Sequence, residues 1–377
     1  MKFGPEKISL FQLSLLLFTT VTATAVFFVP ALLAKQSGVD AWINTLTSAT
    51  LYGFLVAFIC IQLGRRFPGQ TFPEYLPQII GKWPGRLLAM VYLALFLHLA
   101  TVMISEIAHF IHVTFLNQTP HVAVVLLVCA AIFYGAFCGI ETIARANVLV
   151  LFLFLIGSLV SVLLLIPEIH PAYMLPFLEH GWRPILKGSA ITCAWRGEVF
   201  ALLMLYPAIN RPQKAIPAVF GTIFLIGVYL TVITVVCFTV FGAEVTSRLV
   251  FALYSLIQYI LIGDIITRLE LWIVVFWIAL ALTKTSVFIY AAGSVFHTLA
   301  PKLPRSYLFL IMLPVATVVA EMFYASYFQI IRFITFLFPI MALIGELLIP
   351  ALILVIALVR GKSQAEPTAA SERTNTV

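Results

Sequence analysis

A chain of 377 residues with 62% hydrophobic and only 10% charged side chains falls far short of the roughly 25% charged residues of a soluble domain, so the bilayer must be the solvent for much of it. The formal net charge of +7 would suit nucleic acid in a soluble protein. Here the basic residues stand in loops between apolar runs, where membrane topology accounts for them, and no nucleic-acid partner is expected.

The chain opens Met1-Lys2-Phe3-Gly4-Pro5-Glu6-Lys7. The apolar run that follows is too long for a signal-peptide core and lacks a clear cleavage site, so it reads as the first helix. A bilayer core needs about 20 apolar residues per helix. Runs of that length predict ten transmembrane spans, at 10–33, 42–63, 87–115, 121–138, 147–166, 187–209, 216–241, 271–297, 306–325 and 333–359. Residues 1–360 then form a single transmembrane domain surrounded by lipid. The polar stretch 361–377 reads as a disordered cytoplasmic tail.

Lys and Arg in the loops set the orientation. With a cytoplasmic N-terminus, fourteen of them lie on the cytoplasmic side and six outside, with Arg196 and Lys284 inside spans. Both termini are therefore expected in the cytoplasm. An apolar stretch from Leu249 to Ile262, bounded by Arg248 and Asp264, is too short to cross comfortably and reads as an interfacial or re-entrant helix. Ten spans divide into two halves of five, about 8–166 and 187–359. An odd number per half forces opposite orientations. That is the all-α, 5+5 inverted-repeat architecture of transporters, whose first and sixth helices are broken at mid-membrane.

Polar residues inside the spans mark candidate sites, because an ionisable group at that depth is costly unless paired or watered. Span 1 carries Thr22-Ala23-Thr24-Ala25, small and hydroxylated residues that suit either a ligand or close helix packing. Span 3 carries His98, Thr101, Ser105, His109 and His112 at spacings of three and four, one helical stripe with Glu106 at its edge. The stripe suits a proton relay or a hydrogen-bonded packing seam. His109 and His112 are close enough to share a metal ion, but no third ligand has suitable spacing, so no metal site is expected. Span 6 holds Trp195-Arg196-Gly197-Glu198. Gly197 permits local unwinding, and freed backbone groups can bind the ends of a zwitterionic solute. An Arg196–Glu198 pair is the structural reading of the same residues, and it too needs a break.

Span 8 carries Lys284, with Ser286 and Tyr290 sharing a face. Lys284 reads as an internal cation, a substitute for a transported sodium ion or a partner for Glu198, or else it snorkels to an interface. Glu346 stands in mid-span 10 between Pro339 and Pro350. It reads as a proton site or as a neutral hydrogen-bonding group in a kinked helix. Glu106, Arg196, Glu198, Lys284 and Glu346 are thus the candidates for ion or proton coupling. Cys60, Cys129, Cys138, Cys193 and Cys237 form no CxxC pair and read as small hydrophobes. No phosphate-cradling loop, nucleophile elbow, paired-carboxylate hydrolase pattern or zinc motif is present. Neither enzymatic activity nor a cofactor is expected.

Several stretches together carry a resemblance. They are Gln36-Ser37-Gly38-Val39-Asp40-Ala41-Trp42-Ile43, Leu63-Gly64-Arg65-Arg66-Phe67-Pro68-Gly69-Gln70-Thr71, Ile80-Gly81-Lys82-Trp83-Pro84-Gly85, Pro184-Ile185-Leu186-Lys187-Gly188, Gly197-Glu198, and Pro207 followed by Lys214. Over about Ile8 to Arg360 the chain resembles the spore germination permease-like family, the B subunits of nutrient germinant receptors. It departs at span 1, where members show a Gly-Thr-Gly-like element in place of Thr22-Ala23-Thr24-Ala25. The resemblance implies an amino acid–polyamine–organocation transporter fold in a bacterial spore inner membrane. It also implies A and C receptor subunits as partners and a nutrient ligand, often an amino acid, held among spans 1, 3, 6 and 8. Thr22, Ala23, Thr24, Ala25, His98, Val102, Trp195, Gly197, Glu198, Ser286 and Tyr290 would form that site. A proton- or cation-coupled amino-acid permease is the other reading of the same residues.

Overall fold

The computed structural model describes residues 6–179, 181–260 and 269–363. Their regular structure is helical, and the one β-type contact is an isolated bridge between Ile8 and Ile209. The long helices are α1 (Leu10–Ser37), α3 (Ser48–Arg66), α5 (Lys82–Thr114), α6 (His121–Cys138), α7 (Ile140–Leu164), α10 (Ala215–Thr246), α12 (Leu269–Leu299) and α13 (Arg305–Phe323). Short helices α2 (Trp42–Leu46), α4 (Phe72–Ile80) and α11 (Ala252–Gln258) connect them. Predicted span 6 is α8 (Trp182–Gly197), a 3-10 turn (Glu198–Ala201) and α9 (Leu202–Leu205). Predicted span 10 is α14 (Tyr327–Arg332), α15 (Phe338–Ala342) and α16 (Ile349–Val359), joined by π-helical turns at Phe333–Leu337 and Leu343–Leu348.

Among the described residues, eight helical stretches are long and apolar enough to cross a membrane: Leu10–Leu46, Ser48–Arg66, Lys82–Thr114, His121–Cys138, Ile140–Leu164, Pro212–Thr246, Glu270–Leu299 and Tyr327–Val359. Predicted spans 6 and 9 fall on α8–α9 and α13, outside those eight; the apolar part of α13, Phe309–Phe323, is shorter. Outward faces are apolar. Leu149, Phe152, Ile156, Leu159 and Leu163 form an exposed stripe along α7 at helical spacing, a surface that only lipid or another apolar body can cover.

The core sits around α1, which is buried along nearly its whole length. It packs against α7, α8, α10, α11 and α12. Its threonines and alanines between Thr19 and Ala25 are all buried and let the neighbouring helices approach closely. A capping box starts it: Ser9 Oγ accepts from the Gln12 amide and Gln12 Oε1 accepts from the Ser9 amide. Predicted spans 1 and 6 are tied at both ends. Below, the Ile8 amide donates to Ala208 O at 2.8 Å and the Asn210 amide to Ile8 O at 3.1 Å. Above, Ser37 Oγ donates to Pro184 O at 2.9 Å, and both Asp40 carboxylate oxygens accept from the Leu178 amide at 3.1 Å.

Two expectations about breaks are corrected. Span 1 is not broken at Thr22–Ala25: α1 runs through it without interruption. Thr20 and Thr22 donate back to the carbonyls of Leu16 and Phe18, both at 2.7 Å, so the hydroxyls stay within the helix instead of competing with it. Span 6 does change at Gly197–Glu198, but it tightens to a 3-10 turn rather than unwinding. The Glu198 amide donates to Arg196 O and Trp195 O. The sharper irregularity is in span 10, with two π turns beside Pro339 and Pro350. Carbonyls there are taken up from neighbouring helices: Tyr92 OH donates to Gly345 O at 2.6 Å and Tyr52 OH reaches Ala342 O at 3.5 Å. The stretch Leu249–Ile262 yields the short α11, packed on α1, α10 and α12; residues 261–268, and the tail from 364, lie outside the described residues.

Arg196 holds this frame together. Its guanidinium donates to Ile223 O at 2.8 Å, Thr45 O at 3.3 Å and Thr50 Oγ1 at 3.4 Å, so it clamps α2, α3 and α10 to span 6. Thr45 O is near the end of α2, where backbone carbonyls lack helical partners. Gly53 makes room for the Arg196 stem: a Cβ there would sit 2.5 Å from Arg196 Cγ and 3.1 Å from Ile223 Cγ2. Ala is a better helix former than Gly by about 1 kcal/mol. Gly53→Ala should nonetheless lower the melting temperature of the detergent-purified protein, because the clash costs about 1–3 kcal/mol. An unchanged or raised melting temperature would show that Arg196 is not held as described.

Candidate functional site

Thr24, in the middle of α1, brings three spans together. Its Oγ1 accepts from Lys284 Nζ of α12 at 2.7 Å and from Trp195 Nε1 of α8 at 3.1 Å. Lys284 Nζ also donates to Glu198 Oε2 at 2.8 Å. Lys284 and Glu198 are 0% and 1% exposed, so this is an ion pair sealed in the core. Lys284 does not snorkel, and Glu198 pairs with it rather than with Arg196. Immediately beside Thr24, Ala23 O accepts from Trp277 Nε1, and the Trp277 ring stacks on Phe27 with centroids 3.9 Å apart.

Next to this knot lies a cavity of about 10 Å³, room for roughly one water. Its polar walls are Thr24, Glu106, Trp195 and Glu198; its apolar walls are Leu99, Val102, Met103, Phe333, Ile334 and Phe338. Five residues singled out in the sequence therefore meet here: Thr24, Val102, Glu106, Trp195 and Glu198. Glu106 is buried, and its Oε2 has no hydrogen-bond partner among the described residues.

The other candidates lie elsewhere. Thr22 and Ala25 are buried in α1, off the cavity wall. His98 bonds Tyr324 OH at 3.0 Å and lines a larger, apolar cleft of about 310 Å³ on the other side of Phe333. Ser286 Oγ donates to Ile132 O at 3.1 Å, which fastens α12 to α6. Tyr290 is buried in the core, away from the cavity wall. Gly197 abuts Glu346, not the cavity: a Cβ there would overlap Glu346 Oε2 and lie 2.8 Å from Tyr52 Cε1. Glu346 is 1% exposed, and neither carboxylate oxygen has a partner among the described residues. Arg196 is the structural clamp described above. Of the histidine stripe, His109 stacks on Tyr327 and both His109 and His112 approach His121, whose Nδ1 bonds Glu321 at 2.9 Å. Among the described residues no group of three or more His, Cys, Asp or Glu is placed to hold a metal ion.

Sequence reasoning missed Leu99, Met103 and the span 10 wall of Phe333, Ile334 and Phe338. Apolar residues in an apolar span carry no signal of their own. Leu99 and Met103 were reachable, standing three residues before Val102 and one after it on the same helix.

The helix arrangement is that of solved secondary transporters. Mhp1, a nucleobase-cation-symport-1 family transporter in a closed conformation with bromovinylhydantoin bound, superimposes with a TM-score of 0.70 at 14% identity, covering 95% of this chain and 80% of that one. MhsT in complex with L-phenylalanine gives 0.65 at 15% identity, covering 93% and 89%. These likenesses define the fold. The chain belongs to the spore germination protein family, whose model matches residues 7–330. Spore germination protein YndE of Bacillus subtilis is 25% identical over 81% of this chain and 85% of its own length. Spore germination protein KB of the same organism is 23% identical over 76% of each, and spore germination protein XB of Bacillus anthracis is 24% identical over 78% and 82%. The protein is thus an integral membrane protein of transporter fold.

Removing one partner of a sealed ion pair strands the other charge, at a cost of about 3–5 kcal/mol. Lys284→Met should therefore strongly depress the melting temperature, and adding Glu198→Gln should recover most of the loss. A single mutant as stable as wild type would rule out the buried pair.

Proposed function

We propose that this protein is the membrane-embedded nutrient-sensing subunit of a spore germination receptor. It binds a small molecule, an amino acid or a close relative, at the cavity between spans 1, 3, 6 and 10. The observation that carries the reading is a water-sized cavity walled by Thr24, Glu106, Trp195 and Glu198 and backed by the Lys284–Glu198 pair. Any solute larger than water must part these walls, so its binding energy necessarily favours one conformation over another. A sensor requires that coupling. Irregular elements line the cavity: the 3-10 turn of span 6 carries Glu198, and the first π turn of span 10 carries Phe333 and Ile334.

In this reading the protein sits in the spore inner membrane with both termini in the cytoplasm, and A and C receptor subunits receive the conformational change. In the same reading ten spans form an inverted repeat, whose two bundles rock against each other. A coupled permease is the second reading, favoured by the likeness to two transporters with solutes bound. Glu106, Glu198 or Glu346 would then carry a proton, and Lys284 would stand in for a coupling ion.

Binding to the folded state alone stabilises it by about 2.7 kcal/mol at a ligand concentration one hundred times Kd. The purified protein should therefore gain melting temperature with a subset of amino acids. Ile334→Trp, which fills the cavity without touching a charge, should abolish the gain. A gain that survives Ile334→Trp would move the site elsewhere. Labelled ligand should not accumulate against a gradient in proteoliposomes, and accumulation would select the permease.

A further inference from the structure

The polar groups around the cavity are one-sided. Two acidic side chains, Glu106 and Glu198, stand on its wall, and among the described residues no basic one does. Lys284 lies behind the wall and is committed to Glu198 at 2.8 Å and Thr24 at 2.7 Å. That pair is neutral as a unit. Arg196 is turned away, onto Ile223 O, Thr45 O and Thr50. Glu106 is left over, 4% exposed, with Oε2 facing no partner among the described residues.

Donors are equally scarce. The Trp195 indole N–H on the wall is given to Thr24 Oγ1 at 3.1 Å. The Glu198 amide at the 3-10 turn is bonded within span 6. A ligand carboxylate entering here would meet the carboxyl groups of Glu106 and Glu198, and among the described wall side chains the donor not committed elsewhere is the Thr24 hydroxyl, whose oxygen already accepts from Lys284 and Trp195. It would be desolvated beside two carboxyl groups for at most that one hydrogen bond, which is unfavourable. An ammonium would meet the orphan oxygen of Glu106 and complete it, and charge-assisted hydrogen bonds of this kind are the strong ones. The rest of the ligand would lie against Leu99, Val102, Met103 and Ile334 and the rings of Phe333 and Phe338.

We propose that the group recognised by this cavity is an ammonium on an apolar body, received by Glu106, and that a free carboxylate on the ligand contributes nothing to affinity. This rests on the site reading above and sharpens it. Primary amines and amino-acid amides should bind at least as well as the parent amino acids.

The test is a matched series on the full-length protein in nanodiscs. Alanine, leucine and phenylalanine are compared with their amides, their decarboxylated amines and their deaminated acids, by calorimetry or thermal shift. The expected result is that at least one body gives binding of amine and amide no weaker than the amino acid, with no binding of the acid. Glu106→Gln, which keeps the shape, should weaken the amine about tenfold or more, the effect of losing one charge-assisted bond. If amino acid and acid bind while the amine does not, and Ile334→Trp abolishes that binding, the ammonium proposal falls and the site stands. Amine binding unchanged in Glu106→Gln overturns the role of Glu106. Absence of binding across the whole series overturns the proposal and the site together. The wild-type series decides even where the Glu106 variant fails to fold.

Discussion

A lysine and a glutamate sealed together in an apolar core constrain everything around them. Neither tolerates that environment alone, so the helices that carry them must stay in register. Lys284 stands on α12 and Glu198 on the 3-10 turn of span 6, and Thr24 of α1 accepts from the lysine. Three elements far apart in sequence are thereby fixed to one another at one point. The backbone ties between Ile8 and Ala208, and the Ser37–Pro184 contact, hold spans 1 and 6 alongside each other above and below that point. Arg196 does the same toward α2, α3 and α10.

The remaining polar groups gain their meaning from this frame. Because the pair is internally neutral, the carboxyl group left with an unpartnered oxygen at the cavity is that of Glu106. Because α1 is uninterrupted and span 6 only tightens, the site offers side chains more than free backbone groups. The loosest geometry in the vicinity belongs to span 10. Its first π turn carries Phe333 of the cavity wall and its second carries the orphan carboxyl of Glu346. π turns contain an extra residue per turn and are frequent at functional sites. A ligand that opens the cavity against Phe333 and Ile334 pushes on the element best able to yield. Phe333 also forms one wall of the cleft that holds His98 and Tyr324, so its movement alters what lies between the cavity and that cleft.

The fold class was legible because membrane solvation leaves few choices: long apolar runs must be helices. The charged residues of the site were legible for the same reason, since Lys284, Glu198 and Glu106 inside such runs demand an explanation. The partner of each was harder to read. Glu198 lies two residues from Arg196 and 86 from Lys284, and it pairs with Lys284; only packing decides that. The glycine at 197 suggested an opening for a ligand, whereas it accommodates Glu346. The His98, Ser286 and Tyr290 positions were drawn from helix periodicity and family likeness, which give a face but not its neighbour. Periodicity cannot say that His98 meets Tyr324 or that Ser286 meets α6. The break expected at Thr22–Ala25 failed because threonine hydroxyls can bond back within a helix as readily as they can serve a ligand.

Photolabelling tests the location of the site most directly. A diazirine-bearing aliphatic amino acid and the corresponding amine, irradiated with the protein in native membranes, would be mapped by peptide mass spectrometry. The account predicts saturable labelling on peptides containing Leu99–Met103 of α5 and Phe333–Phe338 of span 10, suppressed by Ile334→Trp. Saturable labelling confined to the outer loops or to the lipid-facing stripe of α7 would contradict it.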